Sequence, residues 1–370
     1  MTSEIIGMVG TREVSETRGS VAGSVIDTDY LTRFAQAHEA AGFDRVLIGY
    51  GASSPDGFAV ASHVLHVTTK LKVLIAHRPG FVVPTLVARK LATLDHLTGG
   101  GRVGIHHITG GDERDQKRDG DYLDHDQRYA RTGEFMDILR KTWDSTEPFD
   151  HTGEVYRFEG AFSSVKPALD SGIPLFFGGA SSAAVAVGAR HADVYMLWGE
   201  PREQIAERIA QVREEAAKYN RTVSFSLSLR PIVAGTEDAA WARAEEIRAA
   251  TQARVDHPEG LLYGRRQGRQ SSSVGAQRLQ DQARAQEVYD ERLWFGITAL
   301  TGPGGNSTAL VGTPEQVADS IQKYRDLGID TFLIRGFDPL NDVVTWGERL
   351  VPLIRGQIAD SESQLASAAS

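Results

Sequence analysis

The chain has 370 residues, of which 41% are hydrophobic and 24% charged, as is typical of a globular protein with a large core. Its formal net charge of −9 disfavours nucleic acid and anionic membranes as main partners, because both attract basic surfaces. It contains no cysteine, which excludes disulfide bonds, thiolate metal sites and cysteine nucleophiles.

The N-terminal residues lack the basic region and apolar run of a signal peptide. No apolar stretch approaches the roughly 20 residues that a membrane-spanning helix needs. We therefore expect a cytoplasmic protein.

Short runs of strand-forming residues alternate with longer amphipathic segments, which is typical of parallel βα units. Eight strands are predicted, at residues 5–9, 45–48, 71–76, 103–108, 175–178, 194–198, 225–232 and 331–334. Helices are predicted between most of them, including residues 29–41, 84–94, 203–219 and 314–327. Eight alternating strands favour an α/β fold of the (β/α)₈ TIM-barrel type, since doubly wound open sheets usually stop at five or six strands.

Two polar segments interrupt the alternation. Residues 112–126 are rich in Gly and Asp and are interpreted as a loop above the fourth strand. Residues 251–292 follow the seventh strand and would lie at the C-terminal mouth of the barrel, either as a mobile lid or as a solvated insert. We expect one domain over residues 1–358, followed by a disordered tail at 359–370.

The sequence Gly178-Gly179-Ala180-Ser181-Ser182 follows the fifth strand and precedes an alanine-rich helix. Glycines permit close approach of a ligand to the backbone, and a helix N-terminus presents unpaired N–H groups to an anion. The segment is thus a candidate phosphate cradle. The alternative is a tight strand-to-helix turn with a serine cap.

His106 and His107 end the fourth strand, where successive side chains point to opposite faces. One histidine should therefore line the barrel and the other should pack in its wall, so no metal site shared by the two is expected. Tyr129, near the start of the next helix, is a candidate phosphate or flavin contact, or else a half-buried tyrosine of the core.

Trp198 ends the sixth strand, and a tryptophan at that position suits a flat aromatic ligand. Arg230 and Arg335 lie near the ends of the seventh and eighth strands, and arginine suits an anion. Each arginine could instead pair with a carboxylate of the barrel rim. The anion-binding interpretation is preferred for Arg230 only.

Together these segments resemble the alkanesulfonate monooxygenase branch of the luciferase-like flavin monooxygenase superfamily, over roughly residues 29–353. The resemblance rests on Ile75-Ala76-His77-Arg78-Pro79-Gly80, Ala92-Thr93-Leu94-Asp95, Thr109-Gly110-Gly111-Asp112, Arg128-Tyr129, Phe177-Gly178-Gly179-Ala180-Ser181, Asp193-Val194-Tyr195, Trp198-Gly199-Glu200-Pro201, Ser273-Val274-Gly275-Ala276-Gln277-Arg278 and Gly312-Thr313-Pro314.

The resemblance implies a two-component enzyme. A separate NAD(P)H-dependent flavin reductase would supply reduced FMN, and this chain would react it with O₂ to form a flavin peroxide. The substrate would be a small organic molecule, with organosulfur and anionic compounds as candidates. The implied cofactor-binding residues are Ser54, His106, Thr109, Tyr129, Gly179, Ala180 and Ser181. The candidate catalytic residues are Ser54, His106, Trp198, Arg230 and Arg278, the last on a mobile loop that closes over the flavin.

The departures from this branch concern the substrate. Ser54 stands in place of a cysteine, Ser228 and Arg230 in place of an arginine and a histidine, and Phe337 in place of a tyrosine. We therefore expect simple alkanesulfonates to be poor substrates. The alternatives are a deazaflavin (F420)-dependent dehydrogenase on the same barrel and a flavin-binding protein without turnover. A homo-oligomer is also expected.

Overall fold

The computed structural model describes residues 3–17, 19–20, 24–110, 112–256, 273–301 and 308–369. Its elements in chain order are β1 Glu4–Val9, β2 Val14–Ser15, β3 Gly19–Ser20, α1 Thr28–Ala40, β4 Arg45–Ile48, α2 Gly57–Val67, β5 Lys72–His77, α3 Pro84–Leu97, β6 Val103–His107, α4 Glu113–Arg118, α5 His125–Asp144, β7 Phe149–Thr152, β8 Arg157–Ala161, β9 Leu175–Gly178, α6 Ser182–His191, β10 Val194–Trp198, α7 Arg202–Ala217, β11 Ser224–Val233, α8 Glu237–Asp256, α9 Val274–Ala285, β12 Val288–Tyr289, β13 Leu293–Trp294, α10 Gly296–Thr301, β14 Ala309–Gly312, α11 Pro314–Arg325, β15 Thr331–Ile334, α12 Pro339–Arg349 and α13 Val351–Ala369.

Eight parallel strands close into a barrel. They pair in the order β1, β4, β5, β6, β9, β10, β11 and β15, and β15 pairs with β1 to complete the circle. Each of the eight predicted strands overlaps one of these barrel strands. The predicted TIM barrel is therefore confirmed.

The barrel strands bury residues on both faces, as parallel strands covered by helices must. One set of apolar side chains fills the barrel interior and includes Ile6, Leu74, Phe176, Met196 and Leu333. The alternate residues pack against the surrounding helices in a much larger cluster. This alternation decides which side chain at each strand end faces a ligand at the mouth.

The predicted insertion after the seventh barrel strand is confirmed, although much of it is regular structure. Residues 251–256 are the last part of α8, and α9 occupies Val274–Ala285. Residues 257–272 lie outside the described residues, so the mobility of the lid stays a prediction. After the insertion, β14 pairs in parallel with the upper half of β11.

The structure continues α13 to Ala369, and the disorder expected at residues 359–370 stays a prediction. Ile354 and Ile358 anchor this helix in the core, and Gln357 donates a 2.8 Å hydrogen bond to Asp319 on α11. The small polar residues that follow contain no glycine or proline to end the helix.

None of the helices in the described ranges is both long and apolar enough to cross a membrane.

An ion-pair network joins the first three barrel strands at the N-terminal face of the barrel. Glu4 accepts from Arg45 Nε at 2.9 Å and from Lys72 Nζ at 2.6 Å. Burial alone would raise the pKa of Glu4, but the two cations outweigh it and lower the pKa to about 2. Since this is below the ordinary value of 4.5, the network stabilises the fold above pH 4.5 and loses its contribution as the pH falls towards 2.

We expect Glu4→Gln to lower the free energy of unfolding by about 3 kcal/mol at pH 7, following the size of this pKa shift. The difference from the wild type should shrink as the pH falls below 4.5. Urea unfolding at a series of pH values measures it, with the exposed Glu154→Gln as control. A difference that does not change with pH would contradict this assignment.

Candidate active site

The loop after β9 is held in place by side chains of the barrel wall. Tyr195 donates a 2.7 Å hydrogen bond to the Gly179 carbonyl, and Arg208 donates a 3.2 Å bond to the Ala180 carbonyl. Ser181 caps α6, with its Oγ accepting from Ala184 N at 3.2 Å. The loop and the N-terminus of α6 therefore form one fixed unit at the barrel mouth.

Gly179 lies so close to its neighbours that no other residue fits there without displacing them. A Cβ atom at this position would lie 2.5 Å from Ala184 Cβ and 2.9 Å from the Tyr129 hydroxyl. Tyr129 also hydrogen-bonds the Ser181 side chain, and burial raises the pKa of Tyr129, so its hydroxyl stays protonated. Residues 179–181 and Tyr129, which the sequence places 50 residues apart, thus meet around one cradle.

His106 and His107 face opposite sides of β6, as strand alternation predicts. His106 pairs in register with Ala76 and Phe176, which line the barrel interior. Its Nδ1 is buried and has no hydrogen-bond partner among the described residues. Burial lowers the pKa of His106 to about 4, so the ring is neutral at pH 7. His107 is fully buried in the wall, with its ring 5.7 Å from that of Phe135.

His106 lies beside the cradle. Its Cε1 is 3.5 Å from the position that a Cβ of Gly178 would occupy. Thr109, just after the same strand, is buried and lies 3.2 Å from Thr132 on α5, oxygen to oxygen. Helix α5 therefore joins the end of β6 to Tyr129 and to the cradle.

Helix α9 begins directly against Trp198. A Cβ atom on Gly275 would lie 3.2 Å from Trp198 Cζ3 and 3.5 Å from Ala180 Cβ. One turn further on, Arg278 Nη2 lies 2.5 Å from Glu200 Oε2, and Gln282 donates to the same carboxylate at 3.2 Å. The insertion thus reaches the cradle and the indole, while Arg278 is bound to Glu200.

The structure places the charge of Arg230, a proposed anion contact, against a carboxylate. Arg230 is 1% exposed, and its Nη2 and Nη1 contact the two carboxylate oxygens of Glu16 at 2.6 and 3.2 Å. Nη2 also donates to the Gly336 carbonyl at 2.9 Å. These contacts favour the alternative interpretation, pairing with a carboxylate of the rim. Sequence analysis missed Glu16 because it lies 214 residues from its partner.

Ser54 lies in an exposed turn after β4, where its N–H donates to the Gly51 carbonyl at 2.9 Å. Next to this turn, Arg78 pairs with Asp115 at 2.6 Å, and Asp115 also accepts from Ala52 N at 3.3 Å. These contacts hold α4 against the barrel rim. The predicted loop at 112–126 therefore contains a short helix, and sequence analysis did not single out the Arg78–Asp115 ion pair that holds it beside Ser54.

The family model of luciferase-like monooxygenases matches residues 8–331. Among solved structures, a riboflavin lyase with modified FMN and riboflavin is 21% identical, with a TM-score of 0.76 over 96% of this chain and 92% of that chain. EDTA monooxygenase from Chelativorans sp. BNC1 is 18% identical, with a TM-score of 0.76 over 96% and 94%. An F420-dependent secondary alcohol dehydrogenase with an F420-acetone adduct is 18% identical, with a TM-score of 0.68 over 96% and 99%.

At these identities the solved structures support the shared barrel, whereas the family model spans most of the chain. The match includes the cradle after β9, His106 and Trp198. This chain belongs to the luciferase-like monooxygenase family.

Proposed function

We propose that the protein is an FMN-dependent monooxygenase that receives reduced FMN from a separate NAD(P)H-dependent flavin reductase and uses O₂ to oxidise a small organic molecule. The glycine loop after β9 carries the proposal, because it leads into the N-terminus of α6 and lies beside His106, whose buried Nδ1 has no hydrogen-bond partner among the described residues. Similar barrels in a riboflavin lyase solved with modified FMN and in EDTA monooxygenase support a flavin cofactor.

The residues present fit a flavin phosphate. The backbone N–H groups at the start of α6 and the hydroxyls of Ser181 and Tyr129 would hold it, since a helix N-terminus favours an anion. A side chain at position 179 would collide with Ala184 and with the Tyr129 hydroxyl, so glycine there keeps Tyr129 next to the start of α6. Reduced FMN, when bound, would supply the electrons that activate O₂.

Three features of this chain would act on the bound ring and the substrate. Neutral His106 would present Nδ1 to a polar edge of the ring without adding a charge. Trp198 would form an apolar wall for ring or substrate. Helix α9, packed on Trp198, would cover the mouth and exclude water. Ser54, after β4, and Thr109, after β6, are further proposed cofactor contacts.

The decisive experiment couples the purified chain to a generic flavin reductase. We expect O₂ consumption that depends on FMN, on the reductase and on a substrate found by screening for oxygen insertion by mass spectrometry. The chain alone should not oxidise NADH, because no Gly-x-Gly-x-x-Gly fingerprint for a dinucleotide follows a strand. Turnover of NADH without a reductase would refute the two-component proposal.

A deazaflavin-dependent dehydrogenase is the second candidate, favoured by the similar F420-dependent secondary alcohol dehydrogenase. If the chain has this second function, it would transfer hydride and consume no O₂. Reduction of F420 by a screened alcohol, without O₂ uptake, would identify it. A protein that binds FMN but shows neither reaction would be a flavin-binding protein without turnover.

Arg278 provides a test of the proposal that α9 covers the barrel mouth. Its ion pair with Glu200 ties α9 to the end of β10, next to Trp198. We expect Arg278→Ala to loosen this helix, admit water and raise the hydrogen peroxide released per substrate oxidised several-fold. Arg284→Ala is the matched control, because Arg284 lies on the same helix and its ion pair within the described residues is a local one, with Asp281. Equal peroxide release from both variants and the wild type would contradict this role.

A further inference from the structure

Arg230 and Glu16 lie on the side of the barrel mouth formed by β11 and β15. Ser228 on β11 is level with Trp198 on β10 and with Leu333 on β15, which faces the barrel interior. Arg230 follows two residues later and therefore points to the same face. The ion pair therefore lies one two-residue repeat closer to the barrel mouth than Ser228, the position level with Trp198 at the proposed substrate site.

Both Nη atoms of the Arg230 guanidinium are engaged, whereas its buried Nε has no hydrogen-bond partner among the described residues. Glu16 takes both ends of its fork, and Gly336 accepts a further bond. The ring of Phe337 covers one face, with Arg230 Cζ 3.5 Å from the ring centroid. A substrate anion could reach this fork only by displacing the Glu16 carboxylate.

Glu16 is held firmly in that position. Its N–H donates to the Phe337 carbonyl at 2.7 Å. On either side of it, Thr17 donates to Asp338 at 2.6 Å, and Ser15 contacts both Asp338 and Arg254. The segment from Ser15 to Thr17 is therefore fastened to the loop after β15 and belongs to the wall of the mouth.

The carboxylate of Glu16 remains charged in this setting. Burial alone would raise the pKa of Glu16, but Arg230, with Arg335 and Arg254 nearby, lowers it overall. An incoming anion would meet this negative charge, and displacing it would leave a buried carboxylate without its partner.

We infer that Glu16 is a specificity-determining residue, whose carboxylate occupies the fork of Arg230 and so selects substrates that are uncharged at the end facing β11 and β15. This inference rests on the proposed function and narrows its substrate class to neutral compounds or groups. Sulfonates and carboxylates are excluded from this end because they would have to displace the Glu16 carboxylate and are repelled by its charge. Uncharged polar groups such as sulfones, and apolar groups, meet neither penalty.

Direct binding of two ligands of equal chain length tests the inference. Octanesulfonate and methyl octyl sulfone differ mainly in charge, and calorimetry can measure both on the wild type, Glu16→Gln and Glu13→Gln. We expect the wild type and the Glu13→Gln control to favour the sulfone at least tenfold. Glu16→Gln frees the fork and should bind octanesulfonate at least tenfold more tightly than the wild type does.

The double variant Glu16→Gln with Arg230→Met completes the design, because it removes the repelling carboxylate and the attracting guanidinium together and should gain much less affinity for the sulfonate than Glu16→Gln does. If Glu16→Gln alone does not fold, the wild-type preference for the sulfone still decides. Equal or tighter binding of octanesulfonate by the wild type would overturn the inference. A folded Glu16→Gln protein that binds octanesulfonate no more tightly than the wild type does would also overturn it. The same holds if neither the wild type nor Glu16→Gln binds octanesulfonate.

The binding measurements require no turnover, so a failure of the inference about Glu16 can be distinguished from a failure of the proposed function. Flavin-dependent O₂ consumption by the wild type tests the latter separately.

Discussion

Replacing Arg230 with methionine is expected to lower the free energy of unfolding by about 3–5 kcal/mol, the usual cost of leaving one member of a buried ion pair without its partner. Glu16 would lose both contacts to the guanidinium. Methionine has a similar length, so the loss should reflect the stranded charge more than a cavity. Urea unfolding at pH 7 measures the change.

The double variant Arg230→Met with Glu16→Gln separates the two effects. Because it removes both charges, it should recover most of the lost stability and may be compared with both single variants in a double-mutant cycle. A loss below about 1 kcal/mol for Arg230→Met would be typical of an exposed pair and would contradict the burial of this one. A double variant no more stable than the single one would show that the guanidinium contributes mainly by packing.

Ser181→Asp is expected to weaken reduced FMN by about 2 kcal/mol or more, roughly thirtyfold, because a carboxylate would face the phosphate and a hydroxyl donor would be lost. Aspartate caps helices as well as serine does, so the Ser181 cap on Ala184 N and the fold should survive. Anaerobic titration with reduced FMN measures the affinity.

Two controls sharpen this experiment. Ser182→Asp introduces the same charge one residue later, at an exposed position, and should have a much smaller effect. Reduced riboflavin lacks the phosphate, so its affinity should be the same for the wild type and Ser181→Asp. If FMN binds Ser181→Asp as tightly as the wild type, the phosphate lies elsewhere.

Local pattern in the sequence was sufficient for the barrel and for part of the site. The eight strands follow from short apolar runs, and the opposite directions of His106 and His107 follow from the two-residue repeat of a strand. The turn after β9 could be identified from its glycines and its capping serine, because backbone conformation and helix capping depend on neighbouring residues.

Only the tertiary structure decided which charged groups meet. Arg230 is neutralised by Glu16, 214 residues away, and Arg278 by Glu200, 78 residues away. Neither partner is marked by spacing or periodicity, since the pairs form where separate strand ends converge at the barrel mouth. Sequence therefore determined the scaffold and the residue types available for binding. The fold determined which of those charges remain available to a ligand, because an ion pair depends on distance in space and not on distance along the chain.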